Sequence, residues 1–339
     1  MNKYNKIYML APYRYATGGV ELCHQLVDRL RNLQLEAYIV YVSETGEICN
    51  DTTVTESYKK YNIEIATTIE DKKENILVLP EVFFEFSCKY KAIQIGCWWM
   101  SVDNHYLTST LLEALCFHKS WINRLKILKR YFINGQYHTK CSLSYLKAEE
   151  QRITHYYQSI YAQYHLYSNG FSKVLPLSDY INKELFQTEN SSIKEDIVLY
   201  NPAKGYKFTQ TLIKQVPEIK FIPLKGYNRN ELNELFRKAK LYIDFGNFPG
   251  KDRLPREAVI NGCCIITGKL GASFFYEDVP IPESYKFEVK SKYIPQIKEK
   301  IKYVLKNYHV CFPDFNFYRQ RVSQEEHIFY QEIEQIFIK

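Results

Sequence analysis

Short unbroken apolar runs alternate along this chain with loops bearing Gly, Pro and Lys and with stretches of helical period. Runs at 6–10, 37–42, 63–66, 76–79 and 92–98 in the first half read as strands, and those at 197–199, 241–243 and 263–266 in the second are short, unbroken and rich in β-branched residues. That is the pattern of strands buried on both faces of a parallel sheet. A helix is predicted over 20–33, with Val20, Leu22, Leu26, Val27 and Leu30 on its apolar side, and others over 295–308 and 319–337. The stretch 154–170 reads as one helix closed by Gly170, and 174–186 as a strand leaving the sheet toward Asp179 and Tyr180. Strands alternating with helices mean doubly wound α/β architecture. Residues 184–194 (ELFQTENSSIK) are polar and Ser/Asn-bearing, which marks a linker. The division is therefore a domain over 1–183, a second over 195–315, and a terminal helix over 316–339 that packs back against the first.

The loops that follow the apolar runs lie at the carboxyl ends of the strands, where open α/β sheets bind ligands. Helices starting after such loops aim unpaired N–H groups into the crevice, and Lys204, Lys251, Arg253, Arg256 and Lys269 add full charges. A pyrophosphate suits that edge; the alternative is that these residues serve turn chemistry and solvation. The loop 11–19 ends in Gly18 and Gly19, which either let the backbone approach a phosphate or sugar or only make the turn, with Thr17 placed to cap the helix. The strand ending in CWWMSVDNHY runs into Ser101, Asp103, Asn104 and His105. Asp103 or His105 would orient a sugar hydroxyl or assist proton transfer; alternatively Asp103 and Asn104 cap a helix starting near Leu107.

At 339 residues the chain is long enough for two domains with separate cores. A net charge of +7 favours acidic ligands or an anionic surface, and no Lys/Arg-rich arm or nucleic-acid motif accompanies it. Nine cysteines without a C-x-x-C pair fit a reducing compartment. The opening MNKYNKIYMLAP is too short in its apolar run for a signal peptide and no long apolar window follows, so a cytoplasmic location is expected. Between 117 and 148 seven Lys and Arg residues are interleaved with Trp121, Ile122, Leu125, Leu128, Tyr131 and Phe132, and no acidic residue occurs. Such a segment either lies on an anionic bilayer or is a solvated charged face over a core-facing stripe; 134–139 reads as a mobile loop.

Three of these motifs, Gly18-Gly19, Asn201-Pro202-Ala203-Lys204-Gly205 and the helix from Leu254 to Gly262, resemble those of the GT-B glycosyltransferases, and in particular their large retaining branch, family four. The resemblance implies two facing Rossmann-like domains and transfer of a sugar from a nucleotide sugar to a glycan or lipid-linked acceptor, as in bacterial surface polysaccharide synthesis. By it, Lys204, with Asn201 and Gly205 in its loop, pairs with the donor diphosphate; Glu257 holds the ribose; Gly250 and Gly271 belong to the donor pocket; and Gly262 ends the helix. Pro249 stands where the family has a second glutamate, and Asn201 and Pro202 where it has an arginine, so Arg253 or Arg256 is expected to supply the charge and Asp252 the carboxylate. There is no Asp-x-Asp pair, and neither a metal nor another cofactor is expected. Two other readings remain: a nucleotide-sugar or glycan-binding protein without catalysis, and a nucleotide-sugar epimerase.

Overall fold

The computed structural model describes residues 3–186 and 193–338, which form two compact units. One holds the chain through Asp179 together with the segment from His327 onward; the other is Tyr180–Glu326. Of the expected linker, residues 187–192 lie outside the described residues.

In the first unit the apolar runs become β1 (Ile7–Pro12), β2 (Ala37–Val42), β3 (Ile76–Pro80) and β4 (Gln94–Trp99), joined by β5 (Ile153–Tyr157) and β6 (Val174–Pro176). The sheet is parallel throughout, in the order β2-β1-β3-β4-β5-β6. Helix α1 (Gly18–Asn32) buries Val20, Leu22, Leu26, Val27 and Leu30, and Thr17 caps it by accepting from the Val20 N–H. Beyond β4 come α2 (Val102–Thr108), α3 (Leu111–Phe117), α4 (Trp121–Asn134) and α5 (Leu143–Ala148), and α6 (Ile160–Ser168) follows β5.

Three expectations are corrected here. The run 63–66 makes only an isolated bridge, Ile39 to Ile65, beside β2. The stretch 154–170 is a strand and a helix, because Ser159 is extended and caps α6 by accepting from the Ala162 N–H. The helix expected near Leu107 begins at Val102, and its cap is Ser101, which accepts from the Asn104 N–H, in place of Asp103 or Asn104.

The second unit has β7 (Glu195–Tyr200), α7 (Tyr206–Lys214), β8 (Lys220–Pro223), α8 (Arg229–Lys238), β9 (Ala239–Asp244), α9 (Arg253–Ile260), β10 (Cys264–Gly268), β11 (Lys286–Phe287), α10 (Ile294–Lys306), α11 (Tyr308–Cys311) and α12 (Asn316–Phe337). Its five strands are also parallel, ordered β11-β10-β9-β7-β8. From His327 onward α12 belongs to the first unit, where the Phe329 ring stacks on Trp98 and Glu334 pairs with Arg29. Among the described residues no helix is long and apolar enough to cross a membrane.

Each sheet reverses its strand order once. In the first the reversal falls between β1 and β3, in the second between β7 and β9. Loops at the carboxyl ends of those pairs diverge and leave a crevice, the usual ligand position in such sheets.

Candidate functional site

The second crevice holds the densest polar chemistry. The loop after β7, residues 201–205, meets the loop after β9, residues 245–252, so closely that a Cβ on Gly205 would overlap the backbone of Phe245 and Gly246. Gly205 also takes φ of 64°, which only glycine adopts without cost. A second close approach occurs at Gly271 (φ 60°), where a side chain would run into the Phe248 carbonyl; the Phe248 and Gly271 backbones instead form a bridge. Gly250 is buried in the turn ahead of α9.

Into this junction projects Lys204. Its ammonium pairs with the Asp252 carboxylate, donates to the Asn247 carbonyl (3.1 Å), lies 4.1 Å from the centre of the Phe248 ring and is 3.8 Å from Asp244 Oδ2. Asp244 is buried and accepts from the Tyr242 hydroxyl (2.9 Å) and the Gly246 N–H (2.8 Å), with the Asn201 side chain as a further donor. Burial raises its pKa despite the nearby lysine, the Coulombic partner that opposes the shift. Asn201 also accepts from the Ala203 N–H (2.9 Å), which shapes the turn that presents Lys204.

Two helices start here, α7 at Gly205 and α9 at Asp252, and neither has a side-chain cap hydrogen bond. Their first N–H groups and dipole ends are therefore available to an anion. One turn into α9 sits Glu257, 2% exposed, whose Oε1 is 2.9 Å from Arg229 Nη1 and 3.6 Å from Arg253 Nε. Lys204, Asp252, Arg253 and Glu257 thus form one chain of alternating charge along the β7/β9 edge.

Arg256 is not part of it. The side chain is fully buried; it donates to the Asp252 carbonyl (3.1 Å) and the Lys251 carbonyl (3.0 Å) and pairs with Glu325 (2.9 Å), which also takes Lys251. The expected donor ligand is a strut holding the loop backbone; it directly precedes Glu257 on α9, and one residue along a helix turns a side chain by about 100°. Lys269 is likewise engaged, with Glu283.

In the first unit, Gly18 and Gly19 open α1 at the β1/β3 crevice, and a Cβ on Gly19 would just touch Met100. Asp103 accepts from the Tyr161 hydroxyl (3.2 Å) and remains partly exposed. His105 is 1% exposed, pressed between Phe84 and Trp99, and neither ring nitrogen has a hydrogen-bond partner among the described residues. Burial lowers its pKa to about 3, so it stays neutral and out of reach of a substrate. Sequence reasoning passed over Glu81, the residue that follows β3 at the strand reversal. It accepts from the Met100 N–H (3.3 Å) and the Asn104 amide (3.4 Å), and burial raises its pKa to about 7. A carboxylate directly after the apolar run ILVLP was the available signal.

No family model and no curated protein sequence matches the chain. Solved structures do. The Anabaena protein HepE in complex with UDP and glucose shares 10% identity, over 98% of this chain and 99% of that one, with a TM-score of 0.63. Sucrose-phosphate synthase from Thermosynechococcus elongatus shares 11% identity over 98% of both chains, with a TM-score of 0.65. A glycosyltransferase from Rickettsia africae shares 13% identity over 100% of this chain and 95% of its own, with a TM-score of 0.53. The chain therefore has the GT-B fold. Its two units are the Rossmann-like units of that fold, each built on a parallel sheet flanked by helices.

Proposed function

We propose that the protein is a glycosyltransferase that moves a sugar from a nucleoside diphosphate sugar to a glycan or lipid-linked acceptor in bacterial surface polysaccharide synthesis. The observation that carries the reading is Lys204, set at the β7/β9 strand reversal between the starts of α7 and α9. In transfer the bond from the sugar to the diphosphate breaks, negative charge gathers on the departing diphosphate, and the acceptor hydroxyl oxygen bonds the sugar carbon as its proton passes to that diphosphate. Lys204 and the two helix ends meet that charge without a metal ion. Glu257 lies one turn along α9, where a carboxylate accepts from the vicinal ribose hydroxyls once Arg229 or Arg253 yields to them. Asp252 stands nearest the place of the family glutamate that Pro249 lacks, and takes a donor sugar hydroxyl.

What favours a binding protein without catalysis is the pair of departures from the family motif, Pro249 in place of its second glutamate and Asn201 and Pro202 in place of its arginine. The experiment is a thermal-shift screen against UDP, GDP and CMP, followed by transfer and donor-hydrolysis assays with and without EDTA. Stabilisation and EDTA-resistant transfer, both abolished by Lys204→Ala, are expected. Stabilisation with no sugar released or transferred selects the binding reading; no stabilisation by any nucleotide sinks both.

A further inference from the structure

Helix α4 wears its apolar side outward. At 3.6 residues per turn Trp121, Leu125 and Phe132 share one stripe. Trp121 is 70% exposed, Leu125 54% and Phe132 76%. Ile127 is the buried residue of the helix, and it points to the far side, into a small cluster with Ala114 and Tyr137 that is separate from the main core of this unit. An ordinary surface helix does the reverse. Lys129 borders the stripe, Lys126 and Arg130 are exposed farther round the helix, and no acidic residue lies between 117 and 148 to neutralise them.

We propose that α4 docks the protein on an anionic lipid bilayer. At about 21 Å long the helix is too short and too charged to span, so it lies in the plane of the interface. Trp121, Leu125 and Phe132 enter the headgroup and acyl boundary, while Lys126, Lys129 and Arg130 reach lipid phosphates. Both halves of the pattern are needed for this occupant. A second copy, paired about a two-fold axis, would bring like-charged rows together as it covered the apolar stripes. Docking serves the reaction proposed above by holding the enzyme beside a lipid-linked acceptor, but its chemistry does not depend on that reaction.

Of the three tryptophans, Trp98 and Trp99 are fully buried, so Trp121 reports on this face. The full chain is mixed with vesicles of phosphatidylcholine alone or with phosphatidylglycerol added, containing neither donor nor acceptor. With phosphatidylglycerol present the emission is expected to shift to the blue, acrylamide quenching to fall, and the protein to sediment with the vesicles. Pure phosphatidylcholine should hold it at least about tenfold more weakly. The Trp121→Ser/Phe132→Ser double variant should lose binding by about tenfold or more with an unchanged melting temperature, since both side chains are exposed. Lys126→Gln/Lys129→Gln/Arg130→Gln should abolish the preference for the anionic lipid. Absence of wild-type binding, equal binding by the double variant, or a dimer that the double variant dissolves would each overturn the proposal. Vesicle binding by a protein that transfers no sugar would leave docking standing and count against the reaction alone.

Discussion

Lys204 meets two carboxylates, and the consequence for ligand binding can be worked out at the level of single charges. A diphosphate that reaches its ammonium must take the place of Asp252, so part of the favourable contact is offset by breaking the existing pair. Asp252→Asn removes the competing charge. It is expected to tighten UDP binding by about tenfold, roughly 1.4 kcal/mol, while transfer slows because the sugar loses a carboxylate partner. Calorimetric titration checks the first half and initial rates the second; UDP affinity that is unchanged or weaker would show that Asp252 does not compete. Arg256 calls for the opposite kind of test. It is buried with Glu325 and braces two loop carbonyls. Arg256→Ala leaves the two loop carbonyls without their donor, with Lys251 still paired to Glu325, and should cost about 2–4 kcal/mol in urea denaturation. Arg256→Met, which refills the buried space and leaves the Lys251–Glu325 pair in place, should recover part of that loss, which a direct role in donor binding would not predict.

Elements with strong periodicity were legible in the chain, and their ends much less so. The runs at 37–42 and 76–79 became β2 and β3 with almost no change because continuous β-branched sequence has no other low-energy use in a parallel sheet. The β5 strand was hidden because the polar His155 stands in its middle, buried with the help of a hydrogen bond from Trp99 Nε1 (3.0 Å), a partner on β4 that local pattern cannot reveal. The expected strand at 63–66 had the right residues but only two backbone bonds to β2, through Ile39. In the site, the Lys204 loop and the α9 helix were visible as motifs. Nothing in the sequence showed that Arg256 would face Glu325, 69 residues on, or that Arg229 would reach Glu257 from the start of α8. Near β4 the polar cluster was visible but its cap was misplaced by two positions. Ser101→Ala should therefore lower stability by about 1 kcal/mol in chemical denaturation, a loss that placing the helix start near Leu107 would not produce.

Both sheets follow one rule, with the first strand one in from an edge and the order reversing beside it, yet the two crevices carry different electrostatics. The β7/β9 edge is built from paired charges, whereas the first unit is built around neutral rings. His24, His105 and His155 are buried there and His165 is half-buried, and desolvation lowers their pKa values to about 4, 3, 4 and 4 from 6.5. The sign follows from proton counting. Below 6.5 the unfolded chain binds protons that the folded unit refuses, so stability is full above that value and is lost as pH falls toward 4, by about 1.4 kcal/mol per pH unit for each proton. Glu81 runs the other way. Its pKa is raised to about 7 from 4.5, so the folded unit holds a proton the unfolded chain releases, and its contribution is present at low pH and fades as pH rises through 7. Four histidines outweigh one glutamate, and the melting temperature should fall between pH 7 and pH 5. The His105 ring makes no hydrogen bond among the described residues, which allows it to be replaced without stranding a partner. His105→Leu should flatten the pH profile and raise the melting temperature at pH 5 relative to wild type. If it instead abolishes transfer at pH 7 with the fold intact, the histidine is part of the chemistry and its burial is not the resting state of the working enzyme.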